Sequence, residues 1–125
     1  MSYDAYAHTQ RETAEPRDVE YRAFAKTTRG LMDAVEGDAK AVGEALHVNR
    51  SLWETLAADC ANDANQLPLE TRSNIVGLAR WVREHSRRAL RDPSVIGDLI
   101  EINKIMMDGL AGKRTEKSAA PAKNA

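Results

Sequence analysis

Apolar residues recur at steps of three and four along four separate stretches of this 125-residue chain, with polar residues between them. A spacing of three or four places side chains on one face of an α-helix, whereas a strand requires strict alternation. No stretch alternates in that way over more than a few positions. The pattern therefore predicts an all-α fold.

The starts of the predicted helices are marked by prolines. Pro16, Pro68 and Pro93 each stand just ahead of an amphipathic stretch, where the missing N–H costs no hydrogen bond. Asp92 is well placed as the N-cap before Pro93. The predicted helices span about 16–36, 38–61, 68–90 and 93–110, and a short helix or arm is expected near residues 3–13.

Four helices with one apolar stripe each and short connections are expected to form a compact, mostly antiparallel bundle. We assign residues 1–112 to this single helical domain, including the short amino-terminal helix or arm. Some glycines are expected to allow close approach of helices, and others to end helices with a positive φ. The first group is Gly30, Gly43, Gly77 and Gly97; the second is Gly37 with Gly109 or Gly112. Residues 113–125 have almost only alanine as apolar content, which predicts a disordered tail.

Two asparagines lie within apolar rows. Asn49 shares its helical face with Leu46 and Trp53, and Asn103 shares its face with Leu99. A buried amide without partners costs about 1–3 kcal/mol. We therefore expect both amides to be buried and hydrogen-bonded, with loop or helix-end backbone groups as candidate partners, and to specify packing.

Composition narrows the class of protein. The formal net charge of -1 argues against a generally basic nucleic-acid binder. Cys60 is the only cysteine and lies on an apolar row, as expected of a buried thiol in a reducing compartment. The first residues do not resemble a signal peptide, and no segment approaches about 18 unbroken apolar residues. These features predict a cytoplasmic protein without membrane insertion.

Candidate chemistry is sparse. His8, His47 and His85 fall on three different predicted elements, so with one cysteine they form no metal-ligand pattern. No phosphate-binding loop or nucleophile turn occurs. His85 and Ser86 are neighbours on a helix and point about 100 degrees apart, which is unsuited to one substrate atom. We expect no catalytic site, no cofactor and no bound metal.

A basic side is predicted on the helix spanning 68–90 and just beyond it. It comprises Arg80, Arg83, Arg87, Arg88 and Arg91. One interpretation is a solvated face that makes weak ion pairs. The other is a docking surface for an acidic protein partner or an RNA backbone. Only Trp81 is nearby to stack on bases, which weakens the RNA version.

The last predicted helix has an apolar arc wider than one buried stripe requires. Val95, Ile102 and Ile105 widen it beyond the main row. Our candidate partner-binding residues on this helix are Ile102, Ile105, Met106, Met107 and Leu110. A central helix surrounded by others would explain the arc. The alternative is an exposed face that receives an amphipathic helix of another protein, and methionines suit such an adaptable surface.

Several blocks of the sequence, taken in order, resemble the flagellar biosynthesis regulator FlaF family. The blocks are Ala5-Tyr6, Pro16-Arg17-x-x-Glu20-Tyr21-x-x-Phe24, the stretch 49–59, Asn65-x-Leu67-Pro68-x-x-x-Arg72, Leu78-Ala79-x-Trp81-Val82-x-x-His85-Ser86 and the stretch 99–110. The resemblance runs from about residue 5 to residue 110. Cys60 stands where a leucine would be more usual.

The resemblance implies a non-enzymatic regulator of flagellum biogenesis. Such proteins assist flagellin synthesis or secretion in a chaperone-like role, together with the post-transcriptional regulator FlbT. It implies flagellin and an FlbT-like regulator as partners. From the wide apolar arc and the arginines, we expect these contacts to be made through the last helix and the arginine-bearing helix. The alternative is an RNA-associated post-transcriptional regulator of flagellin translation that uses the arginines directly. The oligomeric state stays open.

Overall fold

The computed structural model describes the backbone of residues 16–111 and the side chains of residues 20–111. This part of the chain holds four α-helices and no strand, so the all-α prediction is confirmed. The helices are α1 (Pro16–Ala34), α2 (Ala39–Ala61), α3 (Leu69–Ala89) and α4 (Ile96–Leu110), with a 3₁₀ turn at Pro93–Val95 before α4. The expected arm near residues 3–13 and the expected tail at 113–125 lie outside the described residues.

Local signals explain where the helices begin. Asp38 precedes α2 as its N-cap, and its carboxylate accepts a hydrogen bond from the backbone N–H of Ala41 at 2.9 Å. Asp92 is the N-cap of the 3₁₀ turn, as predicted, and accepts bonds from both the N–H and the hydroxyl of Ser94. The first helix ends at Ala34, two residues before the predicted end.

The helices form an up-and-down bundle in which each packs against its chain neighbours and α1 also packs against α4. The starts of α1 and α3 and the ends of α2 and α4 surround one cavity, so these four termini lie at the same end of the bundle. Contacts between α3 and α4 are sparse compared with those of the other neighbouring helix pairs, α1–α2, α2–α3 and α1–α4. One side of the bundle is therefore more open than the others.

The core is built on aromatic packing between α1 and α2. Phe24 and Trp53 meet edge to face, with ring centroids 5.3 Å apart. Leu31, Val82 and Leu99 bring α1, α3 and α4 into the same buried cluster, and each has almost no exposed surface. Burial of this kind contributes about 1.5–3 kcal/mol per large side chain.

The glycine predictions are only partly right. A Cβ added at Gly30, Gly43, Gly77 or Gly97 would meet nothing within 4 Å, so the expected close approach of helices at these positions is wrong. Gly37 does follow the end of α1, yet its φ is outside the left-handed region. Its role is steric, because an added Cβ would lie 2.9 Å from the Cβ of Ala41. Gly109 lies inside α4, and Gly112 lies outside the described residues.

We predict opposite effects for alanine at two of these glycines. Gly77→Ala should raise the free energy of unfolding by about 0.5–1 kcal/mol, because glycine weakens a helix interior and the new methyl group meets open space. Gly37→Ala should lower it, because the new methyl group overlaps Ala41. Urea unfolding followed by circular dichroism measures both. Equal gains in the two variants would contradict the steric argument.

Candidate functional site

A polar network joins three helices in the middle of the bundle. Asn49 and Asn103 are both 0% exposed. Asn103 Oδ1 accepts a hydrogen bond from Trp53 Nε1–H at 2.9 Å, and Asn103 Nδ2 donates to Thr28 Oγ1 at 3.1 Å and to Asn49 Oδ1 at 2.8 Å. The partners are side chains of neighbouring helices, not the loop or helix-end backbone groups that we expected. Asn49 Nδ2 finds no partner among the described residues.

The end of the bundle where α1 and α3 begin and α2 and α4 end contains a cavity of about 660 Å³, here called the end cavity. Its volume falls within the usual range of small-molecule and peptide-anchoring sites. The lining residues are Glu20, Leu56, Asp59, Cys60, Asn65, Gln66, Leu67, Thr71, Asn74, Ile75, Met106, Gly109 and Leu110. Apolar side chains from α2, α3, α4 and the α2–α3 connection therefore converge here, with polar groups among them.

The α2–α3 connection is held in place by side chains that cap α2. Arg72 Nη1 donates to the carbonyl of Cys60 at 3.2 Å and to that of Asn62 at 3.3 Å. Asn65 Nδ2 donates to the carbonyl of Asp59 at 3.1 Å, while Asn65 Oδ1 accepts from the N–H of Leu67 at 2.9 Å. These bonds satisfy carbonyls that a helix end leaves unpaired. They also fix the wall of the end cavity that contains Asn65 and Leu67.

Two carboxylates stand at the end cavity. Glu20 and Asp59 both line it, and both also line a second cavity of about 410 Å³ between α1 and α2. Burial raises the pKa of the Glu20 carboxyl, and the nearby charge of Asp59 raises it further. A cationic or hydrogen-bond-donating group in the cavity would therefore be favoured beside these carboxylates.

Cys60 is a free thiol and is 2% exposed. Burial raises its pKa, and Asp59 and Glu20 raise it further, while Arg72 acts in the opposite direction. The thiolate is the nucleophilic form, so this environment makes Cys60 unreactive. Its position in the core matches the expectation of a small buried side chain.

The candidate residues of α4 divide between two sides of that helix. Met106 and Leu110 line the end cavity, and Ile105 is 37% exposed. Ile102 is half-buried against the core. Met107 lies toward α1, where the Thr28 hydroxyl donates to its sulfur at 3.9 Å. The wide apolar arc thus serves partly as core packing and partly as the wall of an open cavity.

The candidate arginines, three on α3 and one just after it, lie elsewhere. Arg80, Arg83, Arg87 and Arg91 are all exposed. Arg83 Nε lies 4.0 Å from Glu54 Oε2 on α2, a carboxylate that Arg50 also approaches at 3.7 Å. Arg80 lines a separate cavity of about 380 Å³ between α2 and α3. Arg80 and Arg83 therefore lie on the α2 side of α3, and the structure does not join them with the α4 residues in one surface.

His85 and Ser86 pack within the bundle. The His85 ring stacks on Trp81 with centroids 3.7 Å apart, and His85 Nδ1 lies 2.9 Å from the Trp81 carbonyl oxygen. Ser86 is buried. Within residues 20–111, no three His, Cys, Asp or Glu side chains are grouped so that they could hold a metal ion. None of the helices in this part of the chain is long and apolar enough to cross a membrane.

Sequence reasoning missed most residues of the end cavity. Leu56 and Ile75 lie on apolar rows typical of core positions, and Glu20 and Asp59 entered only as parts of the blocks that resemble the family. The available signal was Leu67, an apolar residue next to Pro68 in a connection where solvation would favour a polar one. It is 43% exposed and lines the end cavity.

We predict that the two buried asparagines differ in their effect on stability. Asn103→Leu should lower the free energy of unfolding by about 3 kcal/mol, because it leaves Trp53 Nε1–H and Asn49 Oδ1 buried without partners. Asn49→Leu should cost about 1 kcal/mol or less, because Asn103 retains its bonds to Trp53 and Thr28. Urea unfolding compares them, and a larger loss for Asn49→Leu would refute this ranking.

The raised pKa of Glu20 makes a pH-dependent prediction. The pKa of Glu20 in the folded protein lies above its ordinary value of 4.5, so the folded protein holds the Glu20 proton more tightly than the unfolded chain does. Neutral Glu20 therefore contributes its full stability below about pH 4.5, the ordinary pKa of the group. This contribution is lost as the pH rises through the folded-state pKa. Glu20→Gln should raise the melting temperature relative to wild type more at pH 7 than at pH 4.

Thermal unfolding across this pH range gives the difference between the two proteins. Glu84→Gln, at an exposed position of α3, is the matched control and should show no such difference. A constant difference between wild type and Glu20→Gln at all pH values would contradict the burial argument.

Comparison with known proteins supplies the family. The model of the family described as flagellar protein FlaF matches residues 2–110. No curated protein and no solved structure matches the chain. The family match covers most of the sequence and confirms the resemblance drawn from the sequence blocks. The chain belongs to the flagellar protein FlaF family.

Proposed function

We propose that this protein promotes flagellin synthesis or secretion as a chaperone-like factor that binds an amphipathic segment of flagellin, together with an FlbT-like regulator. Membership of the flagellar protein FlaF family implies a role in flagellum biogenesis. The finer proposal is that the role is exercised by protein contacts at the end cavity. The protein would work in the cytoplasm, where flagellin is made.

The end cavity is the observation that supports this proposal. It is an open, largely apolar recess beside the loosely packed edge between α3 and α4. Met106 and Leu110 provide its α4 wall, and a methionine adapts its shape to irregular partners. An apolar groove between helices is a common receptor for the apolar face of a partner helix.

An enzymatic role finds little support. Glu20 and Asp59 are the candidate acid or base groups at the end cavity, and catalysis would also need groups that position a substrate and stabilise developing charge. Cys60 also lines the cavity, but its pKa is raised by burial and its side chain is almost fully covered. This arrangement favours binding over chemistry.

We predict that flagellin binding depends on the α4 wall of the cavity. Met106→Asp and Leu110→Asp should each weaken binding of purified flagellin by at least about tenfold, because a carboxylate must be desolvated at an apolar contact. The matched control is Val48→Asp on α2, which is 52% exposed and lies outside the end cavity. Calorimetric titration of the full-length variants, each checked for folding by circular dichroism, measures the effect.

Unchanged affinity in both α4 variants, or an equal loss in Val48→Asp, would contradict this proposal. The FlbT-like regulator can be added to the same titration. If it binds, its dependence on the same two residues shows whether it shares the cavity or uses another surface.

An RNA-associated role is the second candidate, and the exposed arginines of α3 favour it. It requires binding of flagellin leader RNA that weakens steeply with salt. Changing Arg80, Arg83, Arg87 and Arg91 together to glutamate should abolish that binding and leave the flagellin contact intact. A purified protein that shifts no leader RNA at low salt would exclude this candidate.

A further inference from the structure

We propose that the chain's own amino-terminal segment, residues 1–15, occupies the end cavity, with Tyr3 and Tyr6 as the inserted side chains. This inference goes beyond the proposed function, because it concerns the protein without any partner. It assigns an occupant to the largest recess described above.

The position of α1 supports this occupant. The helix begins at Pro16, and Glu20, about one turn later, already lines the end cavity. The preceding segment therefore joins the bundle at the edge of that cavity. Tyr6 precedes Pro16 by ten residues. Such a length spans about 15 Å as a helix or about 33 Å when extended, enough to fold back over the cavity.

The chemistry of the cavity suits a tyrosine. Leu56, Ile75 and Leu110 offer apolar contacts for an aromatic ring. Glu20 and Asp59 offer carboxylate oxygens that accept a hydrogen bond from a phenolic O–H. A buried tyrosine ring normally finds such a polar partner for its hydroxyl. Two of the three tyrosines of the chain lie in this segment.

The carboxy-terminal tail is the competing occupant, because it leaves α4 at Leu110, which also lines the cavity. Residues 112–125 contain no aromatic residue, and their only apolar side chains are those of alanine and proline. The family model includes residues 2–15 and ends at residue 110. The amino-terminal segment is thus the one that belongs to the domain common to the family.

Occupation by this segment has a consequence for partners. Any amphipathic helix that binds the end cavity must first displace the two tyrosines. Its apparent affinity is therefore its intrinsic affinity multiplied by the fraction of molecules in which the cavity is vacant. The segment and a flagellin helix would compete for the same apolar wall.

A spin label tests the position of the segment in the full-length chain. In a Cys60→Ala background, a nitroxide is attached at Thr9→Cys, three residues after Tyr6. We expect strong loss of amide signal intensity at Asn74, Met106 and Gly109, which line the cavity. Residues at the other end of the bundle, such as Glu44, should keep their intensity. A label at Ala119→Cys in the tail, nine residues after Leu110, is the matched control, because the tail also leaves α4 at the cavity. It should broaden the signals of Asn74 and Met106 much less than the label at residue 9 does.

Tyr3→Ala with Tyr6→Ala, in the chain labelled at residue 9, should restore the cavity signals. The same spectra report whether the helices stay folded. Unbroadened cavity signals with the label at residue 9, equal broadening with the label at residue 119, or broadening that survives the tyrosine substitutions would each overturn the inference. Adding flagellin should release the broadening if the two compete. If flagellin does not bind, the proposed function is refuted. The spin-label result on the protein without a partner still decides whether the segment occupies the cavity.

Discussion

The side-chain amide of Asn103 is the contact that fixes α4 relative to α1 and α2. It binds Trp53 and Asn49 on α2 and Thr28 on α1, so three helices meet at one group that water does not reach. Rotating or sliding α4 would break these bonds together and leave several buried polar groups unpaired. Apolar packing alone tolerates such shifts much better. The amide therefore sets the orientation of the whole helix.

The end cavity depends on that orientation. Met106 lies one turn beyond Asn103 and Leu110 lies two turns beyond it, so both are carried to the cavity wall by the same rotation. On the opposite wall, Arg72 and Asn65 pin the α2–α3 connection to the end of α2. The two walls are thus held by separate hydrogen-bond networks. Neither network ties α3 directly to α4.

Helical periodicity and capping chemistry predicted most of the fold, because both are local. The bond from Ala41 to Asp38 and the cap at Asp92 involve residues close in sequence. The same periodicity placed Asn49 and Asn103 on buried faces but could not name their partners, which depend on the rotation of each helix about its own axis. The separation of Arg83 from Met106 escaped sequence reasoning for the same reason. A pattern defines a face, and only packing decides which neighbour that face meets.

The persistence of the end cavity has a physical explanation in its polar groups. Closing it would require α3 to move toward α4 and would bury Glu20 and Asp59 more deeply. Burial already raises the pKa of Glu20, so further closure would desolvate a charge that has no basic partner among the residues lining the cavity. That cost would offset the benefit of packing Ile75 against Met106. An occupant that covers the apolar wall and also donates hydrogen bonds to the carboxylates avoids the conflict, and this requirement limits what can bind there.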